Sequence, residues 1–433
     1  MRNTVSVSSN AVTVLASTLI NYNAVEPSLR RLDQAGVETI LFVPDRYREF
    51  VGQRLGGTFS RIRSYNQLLS KARMMRLAHR YTELLVAGPE FSETYRFREW
   101  DPACSRAGLA GISLRLRSAF PSAPKQYVNS YLERLYAPFV PRVFPSNRIL
   151  VVTRSDIRHL LCHPDLDVVS LMESWDHPPK APMGYRSDTA FVWNRALQRD
   201  WREFQGDGDI RIGYPFKLRY VLEGFQKQTV ARNAVLYPAS FSKRSDPIFF
   251  AAELRLLKVI CEATRKLGIE LIVKPKPNGI RGEFDDLFDQ GTHVSIAPYK
   301  DNDGSTGYFL DEQYNAERLE LLSRCFAVIN LGTTFAIDAA AARIPIIQLR
   351  LNDPAKFPEV TQANRWVHLD RHFFSKPELL CQISENDNPV DKIAHFIEHM
   401  DRAQSFSNYL FEWISPEQTA EEAISHIARR LMQ

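Results

Sequence analysis

The sequence predicts an α/β protein in which short buried strands alternate with helices and form parallel sheets. Two observations support this fold class. Apolar, β-branched runs such as Val12 to Ala16 and Ala327 to Asn330 are each followed by a polar turn and a helical stretch. The strand–helix–strand pattern then repeats along most of the chain, and such repeats favour parallel strands joined by right-handed crossovers.

Length, composition and charge narrow the class of protein. The 433 residues are 44% hydrophobic and 24% charged, which are ordinary values for a globular protein. The length predicts two domains with an added helical piece. The net charge of +5 is too weak to indicate a nucleic-acid partner, but it suits an anionic ligand or a membrane surface.

Cysteine usage and the N-terminal stretch indicate the compartment. The five cysteines are scattered and form no CxxC pair, so we expect no zinc site, no disulfide framework and a reducing environment. The apolar stretch Ala11 to Ile20 follows a single basic residue and is too short to cross a membrane, so it is predicted to hold the first strand. The expected location is the cytoplasm, including a peripheral position at the inner face of the membrane.

Residues 1–226 are predicted to form the first domain, which opens with a strand–helix–strand unit and gains further strands after residue 148. The segment 106–148 is rich in Arg, Tyr, Phe and Pro. Two interpretations of this segment stay open. It is either a helical hairpin that covers the sheet with solvated arginines, or an insertion that faces a membrane or an acceptor.

Residues 227–389 are predicted to form a second α/β domain, and residues 390–433 to be helices that pack across the domains. A helix is expected over Lys376 to Ile383. The predicted strands of the second domain are Ala234 to Pro238, Glu270 to Val273, His293 to Ala297, Ala327 to Asn330, Ile346 to Leu349 and Trp366 to Leu369.

Four loops of the second domain follow the carboxyl ends of predicted strands, where open α/β sheets bind ligands. The first carries Ser240, Ser242 and Lys243, the second Lys274 and Lys276, the third spans Tyr299 to Gly307, and the fourth is Gly332-Thr333-Thr334. Hydroxyl groups and cations from neighbouring strand ends can converge on a phosphate or a diphosphate. The sequence therefore predicts an anion site at this edge.

The fourth loop joins a buried strand to an Ala-rich helix. Gly332 lets the backbone approach a ligand, and Thr333 and Thr334 place hydroxyls at the start of the helix, where phosphate is favoured. Asp338 lies one turn further on the same face, so the group could hold both the phosphates and the ribose of a nucleotide. In the alternative interpretation, the threonines only cap the helix and Asp338 is an N-terminal charge.

The sequence contains no convincing metal-binding loop and none of the common nucleotide-binding motifs. The third loop contains Asp301-Asn302-Asp303, but the spacing required for a calcium loop fails. We therefore expect a flexible polar loop and no metal. The chain also lacks a Walker A loop, a GxGxxG turn and a GxSxG elbow, which removes the main sequence support for triphosphate hydrolysis, dinucleotide redox chemistry and serine-based hydrolysis.

In the first domain, acidic residues and a histidine follow a predicted strand. Glu173, Asp176 or His177 could serve as a general base there. In the alternative interpretation, Asp176 caps a turn and Trp175 packs in the core. Asp45 follows the second strand at the equivalent edge.

The domain plan resembles that of GT-B glycosyltransferases, which have two Rossmann-like domains, an interdomain cleft and C-terminal helices that return to the first domain. The block from Ser170 to Phe216 is similar to a signature of bacterial surface-polysaccharide glycosyltransferase-like proteins, with His177 in place of the usual Asn. The matching residues are Ser174, Trp175, Asp176, Lys180, Asp188, Val192, Trp193, Asn194, Gly213 and Pro215.

Two stretches of the second domain extend the resemblance. IVKPKPNG is similar to the KPHP loop of CDP-glycerol and capsule transferases, with Lys276 in place of His. NLGTTFAIDAAAARIP resembles the donor-site segment of these enzymes. There the resemblance gives Thr333 and Thr334 the phosphate role and Asp338 the ribose role.

The resemblance implies a metal-independent glycosyltransferase without a cofactor. It would move a sugar from a nucleotide-sugar donor to a glycan or lipid-linked acceptor in bacterial surface polysaccharide biosynthesis, such as that of a capsule. Asp176 or Glu173 would be the base of an inverting enzyme. The donor would contact Ser240, Ser242, Lys243, Lys274, Lys276, Gly332, Thr333, Thr334 and Asp338, and the acceptor side would hold Asn21, Asn23, Asp45, Trp175 and His177. The alternatives are a CDP-polyol phosphotransferase and a non-catalytic binding subunit of the same fold.

Overall fold

The computed structural model describes residues 11–56, 62–71, 133–140, 143–153, 157–175, 178, 183–225, 233–244, 247–276, 279–290, 293–297, 312–357 and 371–433. The chain divides into two compact units. The first unit comprises Met1–Lys217 together with Pro416–Gln433, and the second comprises Leu218–Ser415. The division thus falls at residue 217, where the sequence predicted residue 226, and the predicted C-terminal segment 390–433 is shared between the units.

The described elements alternate as the sequence pattern predicts. The strands are β1 (Val12–Leu15), β2 (Thr39–Val43), β3 (Ile62–Ser64), β4 (Arg148–Val152), β5 (Asp167–Leu171), β6 (Thr189–Val192), β7 (Asp209–Ile212), β8 (Ala234–Pro238), β9 (Glu270–Lys274), β10 (Val294–Ile296), β11 (Cys325–Asn330), β12 (Ile346–Asn352) and β13 (Cys381–Ser384). The helices are α1 (Leu19–Gln34), α2 (Arg48–Arg54), α3 (Tyr65–Lys71), α4 (Arg195–Gln205), α5 (Arg219–Gly224), α6 (Pro247–Lys266), α7 (Glu312–Arg324), α8 (Phe335–Ala341), α9 (Pro389–Glu398), α10 (Asp401–Ile414) and α11 (Ala420–Met432).

The first unit is built on a parallel sheet with the strand order β3-β2-β1-β4-β5-β6-β7. Its central strands are buried on both faces, which explains why they are continuous apolar runs rather than alternating ones. Thr13 is the polar exception in β1. It is fully buried, and its hydroxyl shares a hydrogen bond of 3.1 Å with the hydroxyl of Ser146.

The second unit has a parallel sheet with the order β10-β9-β8-β11-β12-β13. The helix α6 packs against it through a face that includes Leu256, Leu257 and Ile260, all fully buried. The predicted α/β class with two Rossmann-like sheets is therefore confirmed. The order also places the carboxyl ends of β9, β8 and β11 side by side, which is the edge where the sequence predicts an anion site.

The predicted helix over Lys376 to Ile383 is wrong. Pro377–Leu379 forms one short 3-10 turn, and β13 follows it. In β13 the buried Cys381 and Ile383 alternate with more exposed residues, and this period of two suits a strand at the edge of the sheet. The strand predicted at Trp366 to Leu369 and the residues 106–132 lie outside the described part of the chain.

The helix α11 returns to the first unit, as the resemblance implied, whereas α9 and α10 remain in the second. Thr419 and Glu422 form a capping box at its start, which satisfies backbone donors of the first turn. Near its end, Arg430 donates to both carboxylate oxygens of Asp167 and, over 2.6 Å, to the hydroxyl of Thr189. This contact fixes α11 to the strands β5 and β6.

Replacing Arg430 with Met should destabilise the first unit, because the change keeps the aliphatic stem but leaves Asp167 without its guanidinium. The Arg430 side chain is 14% exposed, so we expect a loss of about 1–2 kcal/mol, between the values for surface and buried ion pairs. Urea denaturation measures the loss. Arg429→Met, at an exposed position on the same helix, is the control, and equal effects of the two changes would contradict the role given to Arg430.

None of the helices in the described ranges is both long enough and apolar enough to cross a bilayer.

Candidate functional site

Three neighbouring strand ends of the second unit bring the predicted donor-binding loops together. The backbone N–H of Ala239, just after β8, donates to the carbonyl of Lys274, the last residue of β9, over 2.9 Å. On the other side of β8, β11 ends at Asn330 and leads into the Gly332–Thr334 turn. The loops after β8, β9 and β11 therefore lie along one edge of the sheet.

The loop after β8 is held by a buried carboxylate. Glu253 on α6 accepts hydrogen bonds from the backbone N–H groups of Ser240 (2.6 Å) and Phe241 (2.9 Å), and from the hydroxyl of Tyr237 (2.9 Å). Burial raises the pKa of Glu253 to about 7, against the lowering effect of these hydrogen bonds. Glu253 thus fixes the path of the loop, although no sequence pattern singles it out.

The predicted donor-binding residues of this loop differ in accessibility. Ser242 is fully buried, so its side chain is out of reach of a ligand in this structure. Ser240 is half-buried, and its hydroxyl oxygen has no hydrogen-bond partner among the described residues. Lys243 is exposed, and its backbone N–H donates to Glu283 over 3.0 Å. Lys243 therefore keeps the accessibility that ligand contact requires, whereas the hydroxyl oxygen of Ser240 is buried.

Lys276 lies beyond β9 with its side chain half-buried. Its positive charge acts on two carboxylates, Glu253 and Glu283, and lowers their pKa values against the raising effect of burial. The charge of Lys276 is therefore partly balanced by the protein, and less of it is left for an anionic ligand.

A buried amide network holds the turn after β11. The side-chain oxygen of Asn330 accepts from the backbone N–H (3.0 Å) and the hydroxyl (3.1 Å) of Thr333. The side-chain amide of Asn330 donates over 2.6 Å to Gln348 on β12, which donates onward to two backbone carbonyls. Thr333 is thus part of the turn's own bonding, whereas Thr334 is exposed and its side chain does not cap α8.

Asp338 has partners that the sequence did not reveal. One of its oxygens accepts from the hydroxyl of Tyr220 over 2.5 Å, and the other accepts from the guanidinium of Arg318. The residue is 4% exposed. Both carboxylate oxygens are therefore already engaged within the second unit, and the ribose contact predicted for Asp338 would require these partners to move.

Arg318 lies among aromatic rings. Its guanidinium carbon is 4.9 Å from the ring centroid of Tyr220, 5.5 Å from that of Tyr314 and 5.3 Å from that of Phe335. Burial alone would lower the pKa of Arg318, but the negative charge of Asp338 raises it. The guanidinium therefore stays charged and paired in a site with little access to water.

Lys274 shares these rings. Its ammonium nitrogen is 5.4 Å from the ring centroid of Phe335 and 5.7 Å from that of Tyr314, whose hydroxyl is 3.4 Å away. Burial, and then the positive charge of Arg318, lower the pKa of Lys274 to about 7, and Asp338 opposes this effect. Lys274, which the sequence predicts to bind phosphate, thus lies in surroundings that disfavour its charged form.

Sequence reasoning selected Lys274 and Asp338 but missed three residues that surround them: Tyr220, Tyr314 and Arg318. One signal was available. Tyr314 and Arg318 are four residues apart on the helix that precedes β11, so they share one face of α7. Tyr220 gave no signal, because it reaches Asp338 across 118 positions of sequence.

In the first unit, Glu173 follows β5 at the carboxyl edge of the sheet. Its backbone N–H donates to the hydroxyl of Thr153 over 3.1 Å. It lines a small pocket with a volume of only ≈ 10 Å³, room for about one water molecule. The other lining residues are Ala24, Leu171, Met172, Phe191, Tyr214, Phe216, Lys217 and Ile427. The predicted base Glu173 is half-buried beside this pocket, whereas Asp176 and His177 lie outside the described residues.

The remaining acceptor-side residues occupy separate positions. Asn21 is in the first turn of α1, 3% exposed, and donates to the hydroxyl of Ser17 over 2.9 Å. Asn23 is half-buried on the same helix, and Trp175 is 2% exposed. Asp45 follows β2 and is exposed. Buried Trp175 fits the packing role that was left open for it.

Among the described residues, no three or more His, Cys, Asp or Glu side chains are grouped to hold a metal ion. The acidic loop Asp301-Asn302-Asp303 lies outside those residues.

Comparisons with known proteins show similarity only at the level of three-dimensional structure. No protein-family model matches the chain, and no curated protein matches it in sequence. Solved structures with a similar chain path include UDP-GlcNAc 2-epimerase from Methanocaldococcus jannaschii, at 12% identity over 97% of this chain and 99% of that chain, with a TM-score of 0.48. Two others are Arabidopsis thaliana UGT89C1 (9%, 99% and 100%, TM-score 0.49) and Acinetobacter baumannii MurG (10%, 97% and 99%, TM-score 0.43). These structural similarities are too weak to support a functional assignment.

Replacing Glu253 with Gln should destabilise the second unit. It should also weaken the pH dependence of the free energy of unfolding. Gln has one acceptor oxygen where Glu253 has two, so one buried backbone N–H loses its partner, at a cost of about 1–3 kcal/mol. The folded pKa of about 7 lies above the model-compound value of 4.5. The contribution of Glu253 to the free energy of unfolding is therefore largest below pH 4.5 and is lost as pH rises through 7.

Chemical denaturation between pH 5 and pH 8 measures both effects. Glu262→Gln, at an exposed position on the same helix, is the matched control and should behave as wild type. Wild type and Glu253→Gln would respond equally to pH if Glu253 were ionised throughout this range, and that result would refute the assignment.

Proposed function

We propose that the protein is a glycosyltransferase that takes a sugar from a nucleotide-sugar donor and passes it to a glycan or lipid-linked acceptor of a bacterial surface polysaccharide. The donor binds the second unit and the acceptor binds the first. The alternating α/β architecture and the resemblance of the Ser170–Phe216 and Asn330–Pro345 segments support this assignment.

The observation that carries the proposal is the meeting of two predicted phosphate loops. The ammonium of Lys274, at the end of β9, lies 5.4 Å from the ring centroid of Phe335. Phe335 follows Thr334 directly, so the cation after one strand contacts the residue next to the exposed Thr334 after another. Such a pairing can hold the diphosphate of a nucleotide sugar.

The same groups can stabilise the departing nucleotide. A diphosphate leaving group gains negative charge as the bond to the sugar breaks, and fixed cations and hydroxyl donors lower the energy of that state. Lys274 supplies the cation, and Lys243 and Thr334 supply exposed polar groups. In this proposal the transfer needs no metal ion, because these side chains take over the neutralising role.

A nucleotide should raise the melting temperature, because a ligand that binds only the folded state stabilises it by mass action, by about 2.7 kcal/mol at a concentration of 100 Kd. The screen covers UDP, GDP, CDP, CMP and dTDP, each with and without magnesium. We expect one nucleotide class to shift the transition, and Lys274→Met and Thr334→Ala each to reduce the shift.

Lys258→Met is the control for this screen, since Lys258 is an exposed lysine on α6. It should keep the full shift. A shift confined to CDP and CMP would redirect the assignment to transfer of a polyol phosphate. The absence of a shift with every nucleotide would overturn the donor site and leave a non-catalytic subunit of the same fold.

The base of an inverting reaction should be found by turnover measurements. Glu173→Gln or Asp176→Asn should lower kcat by about 100-fold or more, the usual contribution of a general base, while KM changes little. Asp165→Asn, an exposed carboxylate of the same unit, is the control. Full turnover in both variants would show that these residues do not act as a base.

A further inference from the structure

The cluster around Lys274 contains more positive than negative side chains. Two cations, Lys274 and Arg318, share the rings of Tyr314 and Phe335. Asp338 is the carboxylate whose charge acts on both of them. Lys274 and Arg318 are partly buried, and among the described residues their two positive charges face one negative charge. Surplus charge is costly where water is partly excluded.

Asp338, the carboxylate that the described residues contribute to this cluster, is paired with Arg318. One oxygen of Asp338 bonds to the Arg318 guanidinium, and the other accepts from the hydroxyl of Tyr220. Because the guanidinium of Arg318 stays protonated, it remains paired with the negatively charged carboxylate of Asp338. Among the described residues, Lys274 has one side-chain hydrogen bond, of 3.4 Å, to the hydroxyl of Tyr314. That neutral group does not balance an ammonium ion.

The other described elements around Lys274 supply no negative charge that would balance its ammonium group. On α7, Glu317 acts on Tyr314, but it does not contribute to the shift of Lys274. The neighbouring strand β8 presents Tyr237, which is bonded to Glu253. The strand β10 contains only Val, Ser and Ile. None of these described groups balances the surplus charge, and loss of a proton from Lys274 would remove it.

We propose that Lys274 is unprotonated in the unliganded protein and takes up one proton from solvent when the diphosphate of a nucleotide binds beside it. The incoming anion supplies the negative charge that Asp338 cannot, and the amine becomes an ammonium ion. Lys274 thereby selects for phosphate charge, because a neutral nucleoside gives no such compensation. The inference rests on the proposed function, which places the nucleotide at this edge.

The electrostatics of the cluster agree with this geometry. Burial and Arg318 lower the pKa of Lys274 to about 7, so at pH 8 the amine is mostly neutral. A diphosphate next to the amine would raise its pKa again. The affinity for the diphosphate should therefore fall as pH rises above 7, because deprotonated Lys274 must be protonated before or during binding.

The protonation of Lys274 in the unliganded protein is tested by its effect on stability, without any nucleotide. Between pH 7 and pH 10 the unfolded chain holds a proton on Lys274 that the folded protein lacks, so folding becomes more favourable as pH rises. Relative to Lys274→Met, the unfolding equilibrium constant of wild type should fall by up to about tenfold per pH unit in this range. Parallel curves for the two proteins would overturn the proposal, because they would mean that Lys274 is already protonated.

The liganded state is tested by calorimetry. The nucleoside diphosphate identified by the melting screen is titrated at pH 8 in two buffers with different enthalpies of ionisation, and the difference in observed heat counts the protons taken up. Wild type should take up close to one proton. Lys274→Arg, which carries a permanent charge, should bind with uptake near zero, and Lys258→Arg should match wild type.

The outcomes separate the inference from the function on which it rests. If no nucleotide binds, the proposed donor site is wrong. If a nucleotide binds wild type without proton uptake, or if uptake persists in Lys274→Arg, the donor site stands and the proton coupling is wrong. Lys274→Met provides a second variant where the arginine does not fit, and its residual binding should also lack proton uptake.

Discussion

The structure of the second unit around its candidate site depends on how buried charge is compensated. Arg318 and Asp338 are charged groups in a place with little water, and each is tolerable only because the other is present. Their pairing joins α7 to α8, and Tyr220 extends the contact to α5. Because the pair is internally neutral, it cannot also neutralise Lys274. The pKa of that lysine is lowered by burial and by Arg318, and Asp338 offsets only part of this effect.

The loops at this edge are held by interactions inside the protein rather than by their own sequences. A buried carboxylate fixes the backbone after β8, and a buried pair of amides, Asn330 and Gln348, fixes the turn after β11. Both sets of bonds satisfy backbone groups that would otherwise be buried without partners. The edge is thus preorganised, and side chains such as Thr334 are left free of structural duties. Preorganisation of this kind lowers the cost of ordering a site when a ligand binds.

Sequence patterns predicted the sheets well and the side-chain contacts poorly, for a physical reason. A buried parallel strand leaves a local record, because five or six neighbouring residues must all be apolar. An ion pair leaves none, since an aspartate that binds ribose and one that binds arginine are the same letter. The ribose role assigned to Asp338 and the ligand role assigned to Ser242 were inferred from position alone, and the structure gives the first residue two internal partners and buries the second. The strand β13 was mistaken for a helix because its four residues are too few to establish a period.

The return of α11 to the first unit has a consequence for how the protein is made. Residues 218–415 form a complete unit of their own, whereas the first unit needs Pro416–Gln433 and the anchor of Arg430 on Asp167. A ribosome delivers those residues only after the whole of the second unit has been synthesised. The second unit can therefore fold during translation, while the first waits with the α11-facing part of its core uncovered. The first unit is therefore synthesised first but completes its fold last. Until then its uncovered apolar surface can be bound by chaperones.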